Sequence, residues 1–512
     1  MPATPTSSNA FSPRTAAFLA IAVLVIHIVT NLITPYEFHR DEFLYFAMGD
    51  HLRLWRMDFP PFIAIVARFS HALFNESLAG LRLAPAFSHA ALVYCAAFAT
   101  SVFGGRRSAQ MLAGLAVATS PLFMRAGAMF QPVTFDQLWW TLALVALMLR
   151  IRDNDTKHWL GLGIFLGLGA LTKFSVAFVA AGVVVAVLAT PLRRDLLTKF
   201  PWIGLLAAIV IGHPAITGQI ALGWPLRQQM ADLQSSQLDR VALLDFVTGQ
   251  FGFGPIVVLG VAGFVFAFRS QWRPIAIATG TAFLLLLFMR GKAYYIGPIY
   301  PVLAAAGAAA LDRLGERIAP RRPTKVLAVA AAAVALYGIA SLPFGLPLLA
   351  PTEMVEFTKA VGGESATRTN TGERLALPQD YADMIGWESL TQTVVRVWNS
   401  LPPSDRAQAV LIASNYGRAG ALDLLGRSQG LPPAISPAGS YWFVGPGDKR
   451  GDVAGVVADN ALKLHQVFRE VTEVAQTNNP WGVAEEQRVK VYICRGAIRS
   501  LAEVWPSLAG QN

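Results

Sequence analysis

Residues 15–34 contain no Asp, Glu, Lys or Arg, and the chain returns to apolar runs of this kind repeatedly before residue 346. A helix needs about 20 apolar residues to cross the hydrocarbon core, where an unpaired backbone group finds no water. Spans are expected near 15–34, 79–103, 109–128, 133–150, 158–172, 174–191, 201–221, 250–268, 273–290, 294–311 and 325–346, about eleven in all. The fifth and sixth are short and separated only by Thr172-Lys173, so a re-entrant pair is an alternative there. With 54% hydrophobic and 14% charged residues, composition leaves no room for an ordinary soluble domain over that length. The first run follows a short polar start with one basic residue, Arg14, and no small-residue cleavage site. It reads as a retained anchor.

The net charge of +10 is distributed between the apolar runs rather than gathered on a face suited to nucleic acid. Arg106-Arg107, Arg150 with Arg152 and Lys157, Arg193-Arg194 with Lys199, Arg269 with Arg273, and the 313–325 stretch fall on alternate loops. The positive-inside rule makes those loops cytoplasmic. The N-terminus is then cytoplasmic, and the Asp41-Glu42 loop and everything beyond about residue 350 lie outside.

Between the first two spans, residues 35–78 repeat apolar side chains at helical spacing on either side of the turn Asp58-Phe59-Pro60-Pro61. Phe43, Phe46 and Ala47, then Phe62, Ile65, Val66 and Phe69, predict two amphipathic helices lying in the interface. A purely structural apron over the bundle is the other reading. After residue 350, strand-like runs at 409–413, 453–458 and 489–494 alternate with helical patterns at 381–401 and 417–426, predicting a small extracytoplasmic α/β domain. The expected organisation is a transmembrane domain, 1–349, with a first external loop, 35–78, then a linker, 350–378, and the α/β domain, 379–512. The two cysteines, Cys95 and Cys494, do not suggest a disulfide.

Three groups of side chains could carry chemistry, all on the expected outer side. His39-Arg40-Asp41-Glu42 follows the first span directly, where charges cost desolvation free energy unless they face water or a partner. Neighbouring residues on a helix point about 100° apart, so one carboxylate can face a cavity while the other holds an adjoining element. Tyr45, four residues after Asp41, shares its face. A carboxylate in a partly dry pocket is suited to accept a proton from a hydroxyl or amine. A surface ion-pair cluster of Arg40 and Asp41 is the alternative.

Asp136, at the outer end of the fourth span, would be a second acid, or else a charge complementing the helix dipole. Arg290 and Lys292, with Tyr294 and Tyr295, break the positive-inside bias and need a compensating partner, either a phosphate or lipid headgroups. Lys173 is a further cation near the same side. Gly161, Gly163, Gly167 and Gly169 lie inside a span and suit close helix approach better than dinucleotide binding. The eight histidines show no metal-ligand spacing, and neither a Walker motif nor a serine nucleophile elbow occurs. No cofactor is indicated, and a divalent metal stays an open option.

An Asp-Glu pair with Tyr four residues after the Asp, in a first external loop with two helices and a Pro-Pro turn, resembles membrane glycosyltransferases of the GT-C fold. It looks most like family 39, which holds the protein O-mannosyltransferases and the lipid A aminoarabinose transferases. Asp136, Leu171-Thr172-Lys173 and Lys292-Ala293-Tyr294-Tyr295 are similar to that family as well. Asn415-Tyr416-Gly417-Arg418-Ala419-Gly420 and Ser440-Tyr441-Trp442 resemble the soluble tails of its uncharacterised bacterial members.

The resemblance implies a polytopic α-helical protein of a bacterial inner membrane. Its implied reaction is inverting transfer of a sugar from a polyprenyl-phosphate donor to a lipid, glycan or protein acceptor on the outer side. Asp41 would be the catalytic carboxylate, with Glu42 and Tyr45 shaping the site, Asp136 a second acid, and Arg290 and Lys292 on the donor phosphate. The lipid A enzymes carry a basic residue just before the Pro-Pro turn. Phe59 stands here instead, which shifts phosphate binding towards Arg53, Arg56 or Lys292 and argues against that subgroup. A transporter or lipid flippase is the alternative function. It would place ionisable groups near mid-membrane in the two halves of an inverted repeat, a pattern this sequence does not have.

Overall fold

A computed structural model describes residues 10–322, 324–369 and 371–508. They form two compact units. One comprises the described residues up to Ile33, Leu54–Phe62 and Arg82–Leu346; the other comprises Thr34–Arg53, Ile63–Leu81 and the described residues from Pro347 onward. The first loop is therefore divided, and most of it belongs with the C-terminal residues rather than with the bundle as the linear partition expected.

The first unit is a helical bundle, and every run expected to span is helical. Among the described residues, six helices are each long and apolar enough to cross a membrane: Pro13–Ile33, Leu78–Val102, Pro132–Asp153, Phe200–Ala221, Ala293–Ile318 and Thr324–Gly345. Three further runs are bent pairs: Arg107–Thr119 with Pro121–Ala128 at 58°, Val176–Ala189 with Pro191–Leu197 at 96°, and Leu243–Phe253 with Ile256–Phe268 at 109°. Pro121, Pro191 and Pro255 stand at the breaks, where the ring removes a donor and clashes with the preceding turn. His158–Thr172 and Arg273–Phe288 are shorter apolar helices. The expected eleven runs thus give six spans, or nine if each bent pair is one, plus these two. The chain is a multi-pass membrane protein.

Small residues bring the bundle helices together. A Cβ on Gly163 would overlap the Gly204 carbonyl, and one on Gly204 would overlap the carbonyl of Trp159. His158–Thr172 and Phe200–Ala221 therefore meet backbone to backbone, the packing that replaces hydrophobic drive inside lipid. Ion pairs, one of them buried, tie off one end of the bundle. The Arg150 guanidinium donates twice to Asp195 at 2.6 Å, and the Trp159 indole donates to the same carboxylate at 2.8 Å. Arg106 donates to Asp312 through its backbone N–H at 2.9 Å and its Nε at 3.1 Å, and Arg313 donates to the Phe103 carbonyl at 2.9 Å. These contacts join loops that the charge pattern had placed on one side. Asp136 lies on the same helix as Arg150, about 21 Å of helix rise towards the other end.

The second unit carries a five-stranded sheet in the order β2-β1-β3-β5-β4. The strands are β1 Val410–Ala413, β2 Ala434–Ile435, β3 Val453–Ala458, β4 Phe468–Gln476 and β5 Lys490–Ala497. β1 runs parallel to β2 and β3, while β5 is antiparallel to β3 and β4. The buried strands β1, β3 and β5 match the apolar runs read from sequence. β4 has mostly exposed side chains and β2 only two residues, so neither leaves an apolar signature. The stretch expected as a linker contains the helix Pro351–Ala360.

Helix Arg40–Asp50 buries Glu42, Phe43, Tyr45, Phe46, Met48 and Gly49, so it is a core element of the second unit. Phe43 packs on Trp387, with ring centroids 5.4 Å apart. Helix Phe62–Phe74 keeps Phe69 and Leu73 exposed.

The packing of Gly163 is directly testable. Gly163→Ala should lower stability by about 1–3 kcal/mol, because backbone cannot yield to the added methyl. Gly161→Ala, whose Cβ would meet only the Ala146 Cβ at 3.8 Å, should leave the melting temperature in detergent unchanged or slightly higher.

Candidate functional site

In the second unit the two adjacent acids have separate fates. His39 is the N-cap of helix Arg40–Asp50; its Nδ1 accepts from the Asp41 N–H at 3.1 Å, and its own N–H donates to Glu42 Oε2 at 2.7 Å. This is a capping box with histidine in the place usually held by Ser or Thr. Glu42 is fully buried and committed to the cap. The Asp41 side chain is 29% exposed and accepts a hydrogen bond from the Tyr416 hydroxyl at 2.9 Å. Tyr45, on the Asp41 face as expected, is buried beside both Asp41 and Tyr416.

Around them lies a charge network. Arg40 pairs with Asp383 at 3.5 Å and with Glu485, and its guanidinium lies 5.8 Å from the Tyr416 ring centroid. His39 Nε2 lies 3.9 Å from Asp380 and 4.0 Å from Asp383. Burial pushes the Asp383 carboxyl up to about 6, against the pull of Arg40 and His39. Burial, reinforced by the Asp41 charge, also pushes the Tyr416 phenol up, so its proton stays on oxygen and is donated.

Asp380, Asp383, Tyr416 and Glu485 were not singled out by sequence reasoning. For the first two and for Glu485 no motif marks them. For Tyr416 the signal was present in the 415–420 motif, but a motif does not say what its tyrosine touches.

In the first unit, Asp136 is the fifth residue of its helix, beyond the first turn, so dipole complementation does not account for it. Trp140 Nε1 donates to its Oδ1 at 3.0 Å and Ser175 Oγ to its Oδ2 at 2.7 Å. Lys173 adds a favourable charge from beyond direct ion-pair contact. The Lys173 ammonium also sits over aromatic faces, 4.9 Å from the Tyr295 centroid and 6.0 Å from that of Tyr294.

Lys292 bonds the Gln237 side-chain oxygen, and Arg290, exposed and with φ +55°, reaches the Asp239 carbonyl at 3.4 Å. Arg56 is exposed in the segment Leu54–Phe62, while Arg53 is exposed in the second unit. The segment carrying the Pro-Pro turn is fixed to the bundle: Gln219 Nε2 donates to the Asp58 carbonyl at 2.6 Å, and Phe62 packs edge-on against Phe135 and Trp139. Among the described residues, no group of three or more His, Cys, Asp or Glu is placed to hold a metal ion.

Comparison with known proteins adds to this geometry. Over 93% of this chain and 97% of that one, the structure superposes on ArnT from Cupriavidus metallidurans bound to undecaprenyl phosphate, with a TM-score of 0.61 at 17% identity. The fold is GT-C. The apo state of the same ArnT gives 0.59 at 18% identity, over 97% and 98% of the two chains. Arabinofuranosyltransferase AftD from Mycobacteria gives 0.52 at 16%, over 96% of this chain and 41% of AftD. Residues 58–217 match the sequence family described as dolichyl-phosphate-mannose-protein mannosyltransferase. No curated protein matches the chain in sequence.

Two outcomes follow from the charges. An acid whose proton is held more tightly when folded contributes stability that is complete below its unfolded value and is lost as pH rises through the folded value. The melting temperature of Asp383→Asn relative to the wild type should therefore rise as pH goes from about 4 through 6, on top of a pH-independent loss from weakening the Arg40 pair. In the bundle, Asp136→Asn should cost about 1–3 kcal/mol by weakening the hydrogen bonds from Trp140 and Ser175. Combined with Ser175→Ala, it should cost less than the sum of the two single changes, as read by unfolding in detergent.

Proposed function

We propose that this protein is an inverting glycosyltransferase that moves a sugar from a polyprenyl-phosphate donor to an envelope acceptor. It acts on the extracytoplasmic side of a bacterial inner membrane, with the N-terminus cytoplasmic. The observation that carries the reading is Asp41: a partly exposed carboxylate at the start of a buried helix, held by a phenol, in a chain with the GT-C fold. ArnT was solved with undecaprenyl phosphate, which supports a donor of that chemical class.

In the proposed reaction the acceptor's hydroxyl or amine attacks the anomeric carbon as the bond from that carbon to the phosphate oxygen breaks. Polyprenyl phosphate leaves with the electron pair, and Asp41 takes the acceptor's proton and later returns it to water. A single base on one face gives inversion, since no covalent sugar intermediate forms. Glu42 fixes the helix start and so the direction of Asp41, and Tyr45 walls the carboxylate. Arg290 and Lys292, with Arg53 and Arg56 as further exposed cations, meet the donor's phosphate charge. Asp136 is the second acid of the site, oriented by the Trp140 indole and the Ser175 hydroxyl.

The test is transfer of radiolabelled sugar from a synthetic polyprenyl-phosphate donor in proteoliposomes containing an envelope extract as acceptor. Asp41→Asn should reduce turnover by on the order of 10²–10⁴-fold while donor binding persists. Full transfer by this variant would rule out Asp41 as the base. Donor movement across the bilayer with no transfer by the wild type would establish the flippase instead.

A further inference from the structure

In the sequence Asn415-Tyr416-Gly417-Arg418-Ala419-Gly420, three positions, Tyr416, Gly417 and Gly420, are fitted against helix Arg40–Asp50. Asn415 caps helix Tyr416–Gly426 by accepting the Arg418 N–H at 2.9 Å, and its amide donates to Glu486 at 2.8 Å. Arg418 is fully buried, donating to Glu486 at 2.9 Å, to Ser414 Oγ at 2.7 Å and to the Glu485 carbonyl at 2.7 Å. That guanidinium joins the end of β1, the start of the helix and the 484–486 turn into one piece, and the same turn supplies Glu485 to Arg40. A Cβ on Gly417 would overlap the Arg40 side chain, and one on Gly420 would stand 2.5 Å from the Phe43 Cβ and 3.0 Å from its backbone. Only glycine at 417 and 420 lets the two helices meet this closely. The outcome of that approach is the bond from the Tyr416 hydroxyl to Asp41 Oδ1.

We propose that Tyr416 is a positioning residue for sugar transfer: through it the C-terminal α/β domain fixes the Asp41 carboxylate in the orientation that receives the acceptor's proton. The proposal rests on the assignment of Asp41 as the base. An aspartate at a helix start would otherwise move among staggered rotamers, and a hydrogen bond to a charged oxygen is among the stronger ones in proteins. The tyrosine can do this at every working pH because burial keeps its phenol protonated. The charged and titratable groups facing Asp41 are His39 at the helix start, Arg40 and Tyr45 on its own helix, Asp383 from the segment before helix Trp387–Ser400, and Tyr416 itself.

The experiment is the pH dependence of kcat for wild type, Asp41→Asn and Tyr416→Phe in the same proteoliposome assay. Tyr416→Phe keeps the ring beside the Arg40 guanidinium and removes only the donor. It should lower kcat about tenfold at neutral pH. It should also move the acidic limb upward by about one pH unit, leaving KM for the polyprenyl-phosphate sugar unchanged. Replacing Tyr416 with 3-fluorotyrosine, a stronger donor of the same shape, should move that limb the opposite way. If Asp41→Asn retains activity, the base assignment fails and the positioning role fails with it. If Asp41→Asn is inactive while both Tyr416 variants keep the wild-type limb, the positioning role alone is overturned, whatever happens to the melting temperature.

Discussion

Arg40 is a cation at the edge of a core, and the second unit is arranged around its compensation. Asp383 and Glu485 approach it from two separate stretches of chain, and its backbone N–H donates to the Asp383 carbonyl at 3.0 Å. One turn earlier, the Glu37 N–H donates to the Met384 carbonyl at 2.8 Å, and the Glu37 carboxylate accepts from the N–H groups of Gly386 and Glu388. A charge taken this far out of water destabilises the fold unless its partners are held in place, and here the backbone holds them. The cost of Arg40 therefore demands that a loop from near the N-terminus and a domain from the C-terminal third fold as one body. With that body formed, Phe43 finds Trp387 and the helix that begins at Arg40 has a core to enter.

This explains how two neighbouring carboxylates reach different chemistry without any difference in residue type of consequence. Helical geometry turns Asp41 and Glu42 about 100° apart. Glu42 points back along the chain, where the backbone N–H of His39 needs an acceptor, and is sealed in. Asp41 points towards the surface, accepts from a phenol, lies 4.0 Å from the His39 ring and keeps part of its area open to water. Asp136 shows the contrasting environment in the bundle, where an indole and a serine hydroxyl each donate to one oxygen of a buried carboxylate.

The bundle itself follows the economy of a bilayer. Its helices have no hydrophobic drive to associate, so contact is made where glycine allows backbone to touch backbone and where Arg–Asp pairs close off the ends. Prolines break three of the runs, and the resulting bends, 58° to 109°, are larger than gentle helix curvature produces. These choices are compatible with low sequence identity to ArnT, because small side chains and end charges can satisfy the same geometry at many positions.

What the sequence determined by itself is the periodic and the local. The apolar runs, the alternation of basic loops, the glycines of a packed span and the strands β1, β3 and β5 are legible because bilayer thickness, charge and burial each impose a pattern on consecutive residues. Asp41 and Asp136 were legible as acids at the ends of spans, where charge is costly. Tertiary structure alone decided that helix Arg40–Asp50 is enclosed, that Ser175 donates to Asp136, and that Asp383, Tyr416 and Glu485 surround the first loop's charges. Each of those partners lies hundreds of positions away or in an unmarked loop. Ion pairs and hydrogen bonds depend on distance in space, and nothing in a linear pattern encodes which remote side chain arrives.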